Sequence, residues 1–198
     1  MLNLIDPIIY TPEEKNYVNR TLLPLGKKAW KNSAEKTKAL KNRISIHTII
    51  AQGGRCAYCE NPLLKGSHAI EHIAPKSLYG SFCFEPYNLV TACTSCNSLG
   101  NKGETDTIVP PCDVQNYTNN RFNIVHPYFD NPDTHFKYLD DEKTMFDKAN
   151  CSAKALKIIN MMHWDEEWAF YQRVRNAHTR DIPMNVLKLV NEIATYRV

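Results

Sequence analysis

The fold turns on the stretch from Cys56 to Lys102. It contains Cys56-Ala57-Tyr58-Cys59, then His68-Ala69-Ile70-Glu71-His72-Ile73-Ala74-Pro75-Lys76-Ser77, then Tyr87-Asn88-Leu89, and finally Cys93-Thr94-Ser95-Cys96-Asn97. A CxxC pair sets two thiolates on one tight knuckle, within reach of two corners of a tetrahedral zinc ion, and two knuckles complete a four-cysteine site. Four thiolates leave no open coordination position, so zinc on Cys56, Cys59, Cys93 and Cys96 is expected to be structural. The 33 residues between Cys59 and Cys93 exceed what a compact finger needs. Something is therefore built inside the loop, and the Glu71-His72 dyad lies within it.

Around that dyad the pattern predicts strand, loop, strand, helix. Residues 68–73 read as extended and Pro75 ends the strand. A loop rich in Gly80, Ser81 and aromatics follows, then a second short strand near Leu89 to Ala92 and a short helix from about Thr94 or Cys96. Period-two alternation puts His68, Ile70 and His72 on one strand face. His68 is read there as a structural imidazole.

Upstream, Thr11-Pro12-Glu13-Glu14 is a helix start, with Thr11 as N-cap, Pro12 in the first turn and acids beside it. That helix is predicted to fade before Pro24. A second begins near Ser33, buries Leu40, Ile44, His47 and Ala51, and stops at Gly53-Gly54. His47 then packs in the core and is not a ligand. Lys27, Lys28, Lys31, Lys36, Lys38, Lys41 and Arg43 form a basic run that leads into the first knuckle and is a candidate phosphate contact.

Downstream, residues 103–120 read as a connecting loop, and His126-Pro127-Tyr128-Phe129-Asp130 as an ordered turn with a structural His126. His135–Leu139 and Thr144–Phe146 suit a hairpin around Asp140-Asp141. Three helices follow. One is capped by Ser152; one runs from Asp165 to His178 with Trp164, Trp168, Tyr171 and Val174 as its stripe; the third opens at Pro183.

The outer limits agree with this reading. The chain has 198 residues, 43% of them hydrophobic, with a formal charge of +3. That suits one domain with appendages, and the mildly basic balance permits nucleic-acid binding without requiring it. Met1 to Tyr10 lacks a secretory pattern and no apolar run spans a bilayer, so a cytoplasmic location is expected. Of seven cysteines four lie in CxxC pairs, which in a reducing compartment reads as metal. Cys83, Cys112 and Cys151 are read as small buried side chains.

Taken together, CxYC, EHxxPKS, YNL and CxxCN resemble the HNH (ββα-metal) endonuclease family, in the subgroup with a separate four-cysteine zinc. The resemblance covers about a quarter of the chain and implies an α+β fold. It would comprise an N-terminal helical arm (1–54), a nuclease core (55–105) and a mostly helical C-terminal extension (106–198). It also implies DNA phosphodiester hydrolysis with His72 as general base, and Glu71 and Asn97 as oxygen ligands of a catalytic Mg2+ or Mn2+. Asn88 would hold the loop that orients His72. Asn97 stands where many relatives carry His, which would make this an H-N-N variant. Lys76 and Lys102 are implied as nucleic-acid contacts, although Lys102 lies five residues past Asn97 where the family's lysine lies about three past. The size and the His-Pro-Tyr-Phe-Asp segment look similar to HNH subunits of bacterial antiphage systems of the Septu and retron-associated types, which work with an ATPase partner. This chain has no nucleotide-binding loop of its own. Two other readings are a zinc-ribbon nucleic-acid- or protein-binding module with an inactive HNH site, and a stand-alone restriction-type nuclease.

Overall fold

The chain's computed structural model describes residues 1–179; the third C-terminal helix expected from Pro183 lies outside them. Two antiparallel strands, β1 (His68–His72) and β2 (Leu89–Cys93), form the centre, with His68 opposite Cys93, Ile70 opposite Thr91 and His72 opposite Leu89. This register carries the second knuckle at the end of β2 back to the start of β1. It leaves Glu71-His72 at the opposite end, beside the loop that joins the strands.

Helix α1 (Pro12–Tyr17) starts as the sequence implies: Thr11 accepts from the Glu14 N–H while Glu14 reaches back to the Thr11 N–H, a reciprocal cap. A wider turn over Val18–Leu22 and a tight 3-10 segment over Leu23–Lys31 follow, kinked at Gly26 (φ 54°). Helix α2 (Glu35–Ala51) begins two residues later than Ser33, and Asn32 Oδ1 accepts from the Ala34 N–H at its start. Its buried face is Thr37, Leu40, Ile44 and Thr48, with Gln52 beyond. His47, expected in the core, is half-buried against the Asp6 carbonyl at 3.0 Å, and Ala51 is exposed.

The difference has a physical reason. Helix α2 seats on β2 partly through polar groups that an apolar periodicity cannot reveal. The Thr48 hydroxyl meets the Thr91 hydroxyl at 2.7 Å. Gln52 accepts from the Thr91 N–H at 2.7 Å and donates to its carbonyl at 2.8 Å. Every group is buried and paired, so this seat stabilises the docking without an unsatisfied dipole.

Past the second knuckle the expected short helix is absent. The Asn97 N–H reaches the Cys93 carbonyl at 3.0 Å, one helical turn, after which residues 98–104 run as consecutive turns. A two-stranded ribbon of β3 (Ile108–Val109) and β4 (Arg121–Phe122) follows. Next come a single turn α3 (Pro132–His135), then α4 (Ala153–Met161) capped by Ser152, then α5 (Glu167–Thr179). The expected hairpin around Asp140 is present as one bridge between Tyr138 and Phe146. On α5 the buried residues are Ala169 and Asn176; of the expected stripe Trp164 is buried just ahead of the helix and Trp168 packs on the same core, while Tyr171 is exposed, so the stripe marks the inner face only at its start.

The α+β class holds. The largest core cluster draws together Leu4, the first knuckle, Val90, Ile124, Ile158 and Trp164. The hairpin and its knuckles therefore share their core with both ends of the described chain. Among the described residues no helix is long and apolar enough to cross a membrane.

Candidate active site

The two CxxC knuckles fix one end of the hairpin. The four sulfurs of Cys56, Cys59, Cys93 and Cys96 lie within 4.8 Å of one another, and Cys59 and Cys93 Sγ are 3.7 Å apart. A tetrahedral zinc with bonds of about 2.3 Å needs sulfur–sulfur edges of roughly 3.8 Å, so the donor set fits the ion. The Cys93 N–H also donates to Cys56 Sγ at 3.3 Å. Among the packed sulfurs, hydrogen bonds from Cys56, Cys59 and Cys96 push the Cys93 thiol pKa down, while the Cys59 and Cys96 thiols are pushed up. Helix α5 braces the first knuckle: Asn176 Nδ2 donates to the Cys59 carbonyl at 3.0 Å, and Gln172 Oε1 accepts from Asn61 at 2.6 Å.

At the far end of β1 a cleft of about 140 Å³ is lined by Glu71, His72, Pro75, Lys76, Ser77, Asn97, Leu99, Gly103 and Glu104. It thus gathers Glu71, His72, Asn97 and Lys76. Asn97 and Lys76 are half-buried, Glu71 and His72 nearly fully so. Asn97 arrives there through the single helical turn that follows Cys93.

His72 is 2% exposed. Its Nε2 lies 3.0 Å from the Cys83 carbonyl. A carbonyl only accepts, so Nε2 carries the proton and Nδ1 keeps the lone pair; Nδ1 is buried with no partner among the described residues. Trp30 packs edge-on against the ring, with centroids 4.3 Å apart, and Lys41 lies over the Trp30 ring. Burial drives the His72 pKa down to about 3, and Lys76 adds to the shift. The imidazole is therefore neutral at physiological pH.

Asn88 pins the loop between the strands. It is fully buried; its Oδ1 accepts from the Ala74 N–H at 2.6 Å, and its Nδ2 donates to the carbonyls of Ala74 (3.1 Å) and Phe82 (2.9 Å). The carbonyl that receives His72 belongs to the next residue, Cys83, so Asn88 acts on His72 at one remove. A second layer stands behind it. The Tyr117 hydroxyl donates to Asn88 Oδ1 at 2.9 Å, and His126 Nε2 meets that hydroxyl at 2.9 Å. His126 Nδ1 accepts from the Tyr128 N–H, which leaves Nε2 as the protonated nitrogen and His126 as a structural group.

Lys102 is not where the sequence placed it. Its side chain is 0% exposed, and its Nζ lies 2.6 Å from Glu71 Oε1 while donating to the His72 carbonyl at 2.8 Å. A lysine so enclosed does not reach a nucleic-acid phosphate in this structure. The turns that replace the helix aim it inward: the Gly103 N–H bonds to the Ser98 carbonyl, and Gly103 adopts φ 45°, where a Cβ would lie 3.1 Å from the Leu99 backbone. Burial pushes the Glu71 carboxyl pKa up, and Lys102 opposes that shift. His68 sits apart, with Nδ1 at 2.8 Å from the Leu64 carbonyl. Of the remaining cysteines, Cys83 is buried while Cys112 and Cys151 are only half-buried.

Sequence reasoning missed Trp30, Tyr117 and Glu104. Glu104 is an exposed second carboxylate on the cleft; its place just past Lys102 was the available signal. Trp30 is brought in by a close backbone approach, since a Cβ on Gly80 would lie 2.5 Å from the Lys27 nitrogen.

A four-thiol staple with an acid-histidine pair at the far end of its hairpin defines a zinc-knuckle metal-binding domain with a polar cleft. Residues 56–103 match the family model described as HNH endonuclease. No curated protein matches the chain.

Proposed function

We propose that the chain is a metal-dependent endonuclease that hydrolyses DNA phosphodiester bonds, with His72 as general base. The observation that carries this is the cleft at the end of β1, which gathers Glu71, His72, Asn97 and Lys76. His72 Nδ1 is the nitrogen with a free lone pair, so it takes the proton from the attacking water. The Cys83 carbonyl holds the opposite nitrogen and fixes the ring. A base held near pKa 3 accepts protons poorly. The negative charge of a bound phosphate raises that pKa, which ties activation of the base to arrival of substrate.

The cleft suits a hard divalent cation. Glu71 Oε1 is a buried acceptor with no hydrogen-bond partner among the described residues beyond the Lys102 charge, and Asn97 offers an amide oxygen beside it. Bound there, Mg2+ or Mn2+ would neutralise charge on the phosphate and the leaving oxygen. Lys76, half-buried in the same cleft, is placed to meet a phosphate. Lys27, Lys28 and Lys31, exposed on the segment that docks against Gly80, extend the positive surface. The size and the His126–Asp130 segment support an antiphage effector that acts with a separate ATPase subunit. Co-purification of that ATPase from the native host tests the partnership.

A second reading has one observation in its favour: Trp30 covers His72 and Lys102 neutralises Glu71, as in a binding module whose site is shut. Plasmid incubated with Mg2+ or Mn2+ separates the two. The nuclease reading expects cutting by the wild type and none by His72→Ala. Equal cutting by both assigns the activity to a contaminant and leaves the binding module.

A further inference from the structure

A cation already sits on the carboxylate that the nuclease reading assigns to a metal. Lys102 Nζ is 2.6 Å from Glu71 Oε1 and 2.8 Å from the His72 carbonyl, with exposures of 0% and 7% for the two side chains of the pair. Buried ammonium groups are held by partners, since an unpaired one is too costly to desolvate. Here both partners belong to the two residues on which the site depends. We propose that Lys102 is a positioning residue and the resident cation of this site, aligning the Glu71 carboxylate while holding divalent-ion affinity low until a phosphate arrives. This rests on the nuclease reading and adds to it a coupling between ion and substrate.

The argument is electrostatic. A divalent ion that joins Glu71 is placed beside an ammonium in a poorly screened pocket, and like charges at such separations repel strongly. The acidic residues that line the cleft are Glu71, buried and already shared, and the exposed Glu104. A nucleic-acid phosphate supplies the missing negative charge, so ion and phosphate each strengthen the other's binding by the same factor. The device guards against a loaded metal site with no DNA in it.

Mn2+ titration of the full-length, zinc-loaded protein tests this, with free Mn2+ read by electron paramagnetic resonance, with and without a short DNA duplex. Lys102→Met keeps the aliphatic stem and removes the charge. The expected result is Mn2+ binding about tenfold tighter than wild type without DNA, and a tightening by duplex that is large in the wild type and small in the variant. Lys102→Gln, which still donates to the His72 carbonyl, is expected to do the same and serves if the Met variant fails to fold. Glu71→Gln is expected to abolish the site. Neutral variants that bind Mn2+ equally or more weakly than wild type overturn the proposal and leave the nuclease reading standing. No Mn2+ binding by any form, with or without duplex, overturns both.

Discussion

The four-thiol cluster and the Glu71–His72 cleft occupy opposite ends of one two-stranded hairpin and are built on opposite principles. The thiol end is closed: four identical donors on two short loops, with no position left for substrate. The cleft end is mixed, with two carboxylates, one amide, one neutral imidazole and two lysines, one lining the cleft and one buried behind it. Its groups are held by loops and helices from residues 30 to 126. A staple needs a single geometry, whereas a site for chemistry has to leave groups unsatisfied and hold them in place from outside. His72 Nδ1, buried without a hydrogen-bond partner among the described residues, and Glu71 Oε1, buried with only the Lys102 ammonium against it, are where that cost appears.

The sharpest way to separate the two ends is to remove metal from each. Structural zinc in small domains contributes on the order of 10 kcal/mol to folding. Cys59→Ser, or stripping zinc with a strong chelator, is therefore expected to abolish the cooperative melt followed by circular dichroism. Washing out Mg2+ or Mn2+ is expected to leave that melt nearly unchanged. A zinc-free protein that melts at the holo temperature would show that the knuckles are not the staple.

Next in size is Asn88, where the cleft end is pinned. Asn88→Ala removes every hydrogen bond of the buried amide and strands the Ala74 N–H and the Phe82 carbonyl. Unsatisfied buried groups cost about 1–3 kcal/mol each, so about 4 kcal/mol of stability is expected to go, measured by denaturant midpoint. Asn88→Asp fares no better, because two carbonyls then face a carboxylate. Tyr117→Phe loses two bonds, to Asn88 Oδ1 and from His126 Nε2, and is expected to cost about 2 kcal/mol. Equal losses for Asn88→Ala and Tyr117→Phe would remove the pin from the account.

The same contrast governs what the sequence disclosed. Cys56, Cys59, Cys93 and Cys96 were legible because covalent spacing alone nearly sets the sulfur positions. The two strands and the loop-holding part of Asn88 were legible because they act on backbone within a few residues. The third element was not: a zinc knuckle and glycines at 100 and 103 turn a predicted helix into successive turns. That in turn carries Lys102 inward, away from the nucleic-acid contact that the resemblance implied and its spacing put in doubt. The docking face of α2 escaped because Thr48 and Gln52 are buried by hydrogen bonding to Thr91, and polar residues leave no apolar period. Trp30 on His72 spans 42 positions, a contact that local pattern does not encode.

The smallest effect tests whether residues beyond the matched segment share in holding the cleft. His126 is buried between Tyr117 and Phe129, and burial drives its pKa from 6.5 down to about 3, with Asp130 opposing the shift and Lys154 adding to it. The folded form stays neutral while the unfolded chain takes up a proton below pH 6.5. The unfolded state thus binds more protons, so stability is complete above pH 6.5 and falls as pH drops from there toward 3. The slope approaches about 1.4 kcal/mol per pH unit, or roughly 2 kcal/mol lost by pH 5. His126→Gln keeps a donor for Tyr117 but cannot titrate. Its stability is expected to fall less steeply than wild type between pH 6.5 and 5, with zinc loss and His72 contributing alike to both curves. Parallel curves would mean that His126 is solvated in solution, and that the support behind Asn88 ends at Tyr117.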